Sequence, residues 1–407
     1  MTANARAASL RESWRTLDAG QWAGVVGVGL GALAFLVTLP PITSRNIAVP
    51  LALGFMALML ALGALARGER KLGAWAIVAG ILGAGAGIWI QGVERETLES
   101  IFTAGLLAAT LRFATPLAFA AMGGIFSERS GVVNIGLEGM MLTGAFFAVL
   151  GSIWSGSWVV GIAMAMLFGG LVGLVHAFFC IHLRADQIVS GFAVNLLALG
   201  VTGFLYTEIY PEGIDRDKVS NVPEVSLGFL TSIPLVGDFL DDVFGGLSLL
   251  VWLMFAVVVL THIVLFKTPI GLRIRAVGEH PRAADTVGIS VYGVRYAAVV
   301  TSGVLAALGG AFLSIGFVGS FAENMTSGRG YIALAAVIFG KWRPGWAFAA
   351  TLLFGFGFAL AIPLQREAGI SENLISTVPY VLTLIAVAGL IGRSIPPAAV
   401  GRPYIKQ

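Results

Sequence analysis

The chain is built from apolar runs close to the length that crosses a bilayer as a helix, about 20 residues, and this recurrence limits its fold more than any other feature. The runs lie at 22–40, 49–66, 73–91, 100–126, 137–155, 158–182, 187–207, 247–267, 296–318, 329–340, 344–364 and 375–392. The tenth is too short for a full crossing and reads as a half-helix or re-entrant segment. Of 407 residues, 57% are hydrophobic and 12% charged, about half the roughly 25% charged share of a soluble domain. The expected fold class is therefore all-α: a polytopic membrane bundle of about 11–12 transmembrane helices, some broken or re-entrant. Mean hydropathy is +0.90, and no independent catalytic domain fits between the runs. Arg6, Arg11 and Arg15 before the first run imitate a signal peptide, but the run is too long and lacks a small-residue cleavage site, so it reads as an uncleaved span.

Charge sets the expected topology. If the chain alternates from a cytoplasmic N-terminus, most of the 25 Lys and Arg residues fall on the cytoplasmic side. The outer loops hold only Arg45, Arg95, Arg216, Lys218, Arg329 and Arg366, and Arg112 lies inside a span. Both termini are thus expected in the cytoplasm. The longest connection, acidic Glu208–Asp242, is placed outside, with Phe229–Phe244 as an interfacial helix. The formal net charge of +3 is scattered with no basic tract, so no nucleic-acid polymer is expected as a partner; the lipid bilayer is. A single cysteine, Cys180, forbids an intrachain disulfide or a cysteine metal cluster. Recurrent GxxxG spacings, such as Gly27 with Gly31, Gly83 with Gly87 and Gly169 with Gly173, point to close helix packing.

Four segments carry polar chemistry. In the fourth run Arg112 sits near the expected midplane, four residues before Pro116. It either lines a solute path or forms a structural pair, with Glu138 as the available acid. Ser127–Met141 is a Gly-rich polar interruption, and irregular backbone at membrane depth must be buried in protein or line a cavity. Asn134 and Glu138 within it either contact a polar solute or cap the following helix. Asp186 opens the seventh run, which holds Gln187, Ser190 and Asn195; these make interhelical bonds or meet solute. His176, His182 and His262 show no ligand spacing and read as packing or boundary residues.

The fourth segment, Gly271–Ile289, separates the eighth and ninth runs. Gly278 and Pro281 mark a start and Gly288 a stop for about two helical turns, with Arg282 and Asp285 on one face. Such a helix docks a partner or is a solvated loop. No GxxxxGK[ST] phosphate loop occurs, so ATP is not hydrolysed here by that route. An ion-coupled secondary transporter would share the hydropathy, but the nearest acid, Glu138, reads as lying near a boundary, too shallow for a proton relay. An intramembrane enzyme would need a nucleophile, base or metal set that is not recognisable. A passive channel would not need the charged helix.

Taken together, SERSGVVNIGLEGMMLTGAF (127–146), ADQIVSGFAVNLLALG (185–200), GLRIRAVGEHPRAADTVGI (271–289) and MTSGRGYIALAAVIFGKWRPG (325–345) resemble the permease family of bacterial ABC importers for simple sugars, branched-chain amino acids and nucleosides. The resemblance is greatest to nucleoside and simple-sugar permeases that work with a basic-membrane-protein type binding lipoprotein. It implies a type II importer permease with an N-terminal extension at 1–99, a core at 100–392 and a cytoplasmic tail at 393–407. It further implies a coupling helix near 279–288, with Glu279, His280, Pro281, Arg282 and Asp285 docking on an ATPase. The implied partners are that ATPase, a companion permease and an extracytoplasmic substrate-binding lipoprotein, all at the bacterial plasma membrane. No catalytic residue, metal or cofactor is expected on this chain, ATP-Mg belonging to the ATPase. The expected substrate path, for nucleosides or simple sugars, involves Arg112, Asn134, Glu138, Gln187, Ser190 and Asn195.

Overall fold

The computed structural model describes residues 18–38, 48–91, 103–226, 237–367 and 394–406. Its helices are α1 (Ala19–Leu36), α2 (Ala48–Ala66), α3 (Arg70–Gln91), α4 (Ala104–Arg129), α5 (Leu137–Ser155), α6 (Trp158–Ala177) and α7 (Gln187–Ile209). They continue as α8 (Gly237–Phe244), α9 (Leu249–Lys267), α10 (Pro269–Glu279), α11 (Pro281–Thr286), α12 (Val291–Leu313), α13 (Arg329–Phe339) and α14 (Pro344–Glu367). The β-structure among these residues is one antiparallel pairing of β1 (Glu224–Val225) with β2 (Leu247–Ser248). Among the described residues nine helices are long and apolar enough to cross a membrane, with Ala19–Phe35 and Arg329–Phe339 as shorter apolar helices. The protein is thus a multi-pass helical bundle, and the tenth run is short as expected. The run at 375–392 lies outside the described residues, as does much of the expected interfacial helix, of which α8 is the described part.

Local chemistry sets several boundaries. Asp18 caps α1 in a reciprocal capping box with Gln21. The Asp186 carboxylate accepts from the N–H groups of Ile188 and Val189, at 2.9 and 3.0 Å, and starts α7. Pro269 and Pro281 stand in the first turns of α10 and α11, where a missing N–H costs nothing. The residues expected to form about two helical turns make α11, and α10 precedes it with a break at His280. α6 and α12 each end in a π turn, Phe178–His182 and Ser314–Val318.

Two compact units are present. In the first, α1–α3 pack through small residues: Gly27 and Gly31 lie against Ala76 and Ala79, and Gly83 against Ala34. In the second, α12 is the hub. Gly303 meets Gly169 of α6, Gly310 meets the Met141 carbonyl of α5, and Ser302 meets Gly123 of α4. Hydrocarbon supplies no hydrophobic drive between helices, so association depends on backbones coming this close. A Cβ at Gly310 would fall on the Met141 carbonyl oxygen, which is main chain. Gly310→Ala is therefore expected to lower stability by about 1–3 kcal/mol. Gly200→Ala, with nothing within 4 Å of the added carbon, should be neutral or slightly stabilising in the same thermal unfolding measurement in detergent.

Candidate functional site

α7 serves as a ruler along the second unit. Asn195, eight residues into it, lies about 12 Å from its start at 1.5 Å per residue. Asn195 donates through Nδ2 to the Tyr331 hydroxyl (2.9 Å) and the Ile135 carbonyl (3.0 Å), and its Oδ1 accepts from the Gly139 N–H (2.8 Å). Gly203, about 24 Å along, faces the Glu323 carboxylate, and Tyr206 packs on Phe321. The chain from Phe321 to Gly328 thus descends from one end of α7 towards its middle without regular structure, and α13 begins there. Asn324 and Ser327 are left-handed, with φ of 54° and 47°, and Glu323, Asn324 and Ser327 are exposed. Polar irregular backbone at this depth is tolerated against protein or a watery cavity, not against lipid.

Glu138 holds the start of α13. Its Oε1 accepts from the Gly328 N–H at 2.7 Å and its Oε2 from the Gly330 N–H at 2.6 Å. This is a cap, but of α13 and not of the helix in which Glu138 sits, and charge favours it at a helix N-terminus. The far end of α13, about 16 Å away, leads to Trp342, whose indole donates to Glu128 and whose carbonyl accepts from Arg129 at 3.1 and 3.0 Å. Glu138 therefore lies well inside the span, contrary to the boundary position expected from the sequence. The interval 130–136 climbs from the end of α4 to mid-span, a rise hydropathy does not reveal.

Other residues expected on the path are tied into this interval. Gln187 Oε1 accepts from the Val133 N–H at 2.7 Å. His176 Nε2 donates to the Val133 carbonyl, and its Nδ1 accepts from the Ser190 hydroxyl, both at 3.0 Å. Asn134 Nδ2 donates to Ser302 Oγ at 2.9 Å. Asn134 Oδ1, Gln187 Nε2 and Arg295 Nη2 are buried without a hydrogen-bond partner among the described residues. Arg112 stands apart: its Nη2 donates to the Gly246 carbonyl at 3.0 Å, beside β2. It does not pair with Glu138, whose oxygens are occupied elsewhere. Sequence reasoning missed Tyr331, His176, Ser302 and Arg295 as parts of this network; Arg295, charged and close to the start of an apolar run, was the available signal.

The α10–α11 pair carries the residues expected to dock a partner. Glu279, His280 and Arg282 are exposed, and a groove of about 580 Å³ runs between Glu279–Ala283 and the tail residues Ala398, Ala399 and Arg402–Ile405. The tail is tied down by Ala399 N–H to the Gly278 carbonyl (2.9 Å), Ala398 N–H to Glu279 Oε2 (3.1 Å) and a Lys406–Asp285 ion pair (3.7 Å). Arg295, 1% exposed, donates to the carbonyls of Ser130 (3.2 Å) and Arg402 (3.1 Å). Among the described residues no group of three or more His, Cys, Asp or Glu is placed to hold a metal ion.

With an interrupted helix at mid-span and an exposed helix pair at one end, comparison with known proteins gives the class. The family described as branched-chain amino acid transport system / permease component matches residues 106–387, and the chain belongs to it. The chain is 44% identical over 320 residues to the guanosine ABC transporter permease protein NupQ of Bacillus subtilis, covering 74% of this chain and 96% of that one. It is 41% identical to the nucleoside ABC transporter permease protein NupC of Lactococcus lactis, covering 74% and 97%. It is 36% identical to the putative glucose ABC transporter permease protein TsgC13 of Haloferax volcanii, covering 70% and 91%. No solved structure matches.

Glu138→Ala leaves two N–H groups of α13 without an acceptor. It is expected to cost about 1–3 kcal/mol for each buried group and to speed hydrogen exchange of the first α13 amides. Glu138→Gln, which keeps one acceptor oxygen, should lose less in both measurements.

Proposed function

We propose that the chain is the membrane-spanning permease subunit of an ATP-binding cassette importer that brings nucleosides across a bacterial plasma membrane by alternating access. The likeness to nucleoside permeases over nearly their full length supports the solute class. The route rests on one observation: the polar, irregular Phe321–Gly328 stretch that reaches mid-span beside α7 and α13. In this reading both termini and the α10–α11 pair face the cytoplasm, and β1, β2 and α8 face outward.

The six polar residues frame the path in different ways. Glu138 and Asn195 fix α13 and Tyr331, Asn134, Gln187 and Ser190 hold the 130–136 interval, and Arg112 anchors the outer β2 turn. Solute contact then falls mainly to the surfaces they position. Glu279, His280, Pro281, Arg282 and Asp285 dock a separate ATPase, which binds ATP-Mg. A companion permease completes the route, and an external binding lipoprotein delivers the solute. The relatives include a second, more distant pair, NupP and NupB, 26% and 24% identical, each also named a permease protein, which fits two unlike chains per importer. ATP can drive the cycle only by favouring one conformation of the bundle over the other.

The test is uptake of labelled guanosine and uridine by vesicles holding the complete complex. Uptake is expected to require ATP and to fall at least tenfold when Arg282 and Asp285 are both replaced by alanine. ATP-independent uptake driven by an ion gradient would overturn the importer reading; ATP-dependent uptake of sugars alone would overturn the solute.

A further inference from the structure

We propose that Phe192 and Tyr331 form a stacking platform on which the nucleobase rests at mid-span. This rests on the nucleoside reading above and names the residues that would make that solute preferred. The two rings come from facing elements, α7 and α13, with centroids 6.2 Å apart and planes 35° from parallel. Both present large faces, Phe192 being 49% and Tyr331 40% exposed.

Lipid-facing aromatic residues are common in membrane helices, so exposure alone decides nothing. Two observations separate this pair from a lipid-facing one. First, the same edge of the unit carries exposed Glu323, Asn324 and Ser327 on irregular backbone, which hydrocarbon does not tolerate. The irregular stretch therefore borders water or protein, and it gives way to α13 beside the ring pair. Second, Tyr331 is aimed. Its hydroxyl accepts from Asn195, which is itself fixed by Gly139 and Ile135, and the helix bearing it is pinned by Glu138 at Gly330 and Gly328, one and three residues back. Among the described residues the Tyr331 O–H is not seen donating to any group, so its proton can reach a solute oxygen. A ring held so firmly has little conformational entropy left to lose on contact with a flat partner.

A nucleobase fits this chemistry better than a sugar does. Stacking on an aromatic ring is open to every base because each has a π face, and it needs none of the polar groups already occupied by the protein. It also gives a contact weak enough for release, as a transport path requires. A purine, with the larger π surface, should gain more from it than a pyrimidine.

The experiment uses the complete complex in ATP-loaded vesicles, with labelled guanosine and uridine as probes. Phe192→Leu keeps apolar bulk but removes the π face; it should lower guanosine uptake about tenfold at subsaturating solute, with a smaller loss for uridine. Phe192→Trp should hold guanosine uptake within about twofold of native, and Tyr331→Phe, which keeps the ring but loses the Asn195 bond, should fall between. Unchanged guanosine uptake in Phe192→Leu overturns the platform. Equal losses in the Leu and Trp variants overturn it too, because they mark a packing role, as does loss of the companion permease from purified Phe192→Leu complex. Failure of the nucleoside reading itself shows differently, as absence of ATP-dependent nucleoside uptake in the native complex before any substitution is made.

Discussion

A peptide N–H inside a bilayer has no water to bond, so a helix that begins at mid-span must find its acceptors within the protein. In this permease they come from one side chain. Glu138 gives both carboxylate oxygens to Gly328 and Gly330, and the position of α13 follows from that pair of bonds. Because Glu138 is the second residue of α5, the same contact fixes where α5 starts, and the 130–136 interval must climb to meet it. Asn195 then closes the arrangement by bonding the main chain of the α5 entry on one side and Tyr331 on the other. The deep acid is therefore a structural keystone whose acceptor capacity is taken up by backbone, and it does not have the open coordination that a proton relay would use.

The 130–136 interval and the α10–α11 pair are joined through Arg295 and the tail. Arg295, at the start of α12, bonds the Ser130 carbonyl where the climbing interval begins and the Arg402 carbonyl in the tail. The tail in turn bonds Gly278 and Glu279 and pairs Lys406 with Asp285. A displacement at α10–α11 thus meets a continuous set of packed and hydrogen-bonded groups reaching Val133, Gln187 and Asn134. Three buried polar atoms around that set, Asn134 Oδ1, Gln187 Nε2 and Arg295 Nη2, have no partner among the described residues. A buried polar network with partners missing is costly in place, and this is where a second arrangement of the same groups would gain most.

Close backbone contact gives these parts a rigid support. α12 touches α4, α5 and α6 through Gly303, Gly310 and Ser302, leaving no side chain between the facing main chains that could act as a soft spacer. The contrast is with the exposed side of α7, where Leu196 and Phe204 project from the unit.

Much of the architecture was legible in one dimension because hydrocarbon thickness and the helical rise impose a length on every crossing. The described runs, the short tenth run, the start of α7 at Asp186 and the helix start at Pro281 follow from that rule and from local helix-boundary chemistry. The motif segments also contained the correct residues: Glu138, Asn195 and Gly328–Tyr331 all lie within them. Depth and partnership were not legible. Glu138 reads as a boundary residue because apolar runs flank it on both sides, and hydropathy cannot register seven irregular residues that climb inside the protein. Arg112 reads as a partner for Glu138 because they are neighbouring buried charges in sequence, whereas folding brings the Gly246 carbonyl to one and the α13 amides to the other. Local chemistry determined which segments are helices and where they start and stop. Only the tertiary structure decided which polar group each buried residue meets, because those partners stand up to 214 residues apart and hydrogen bonds act over about 3 Å of space, not along the chain.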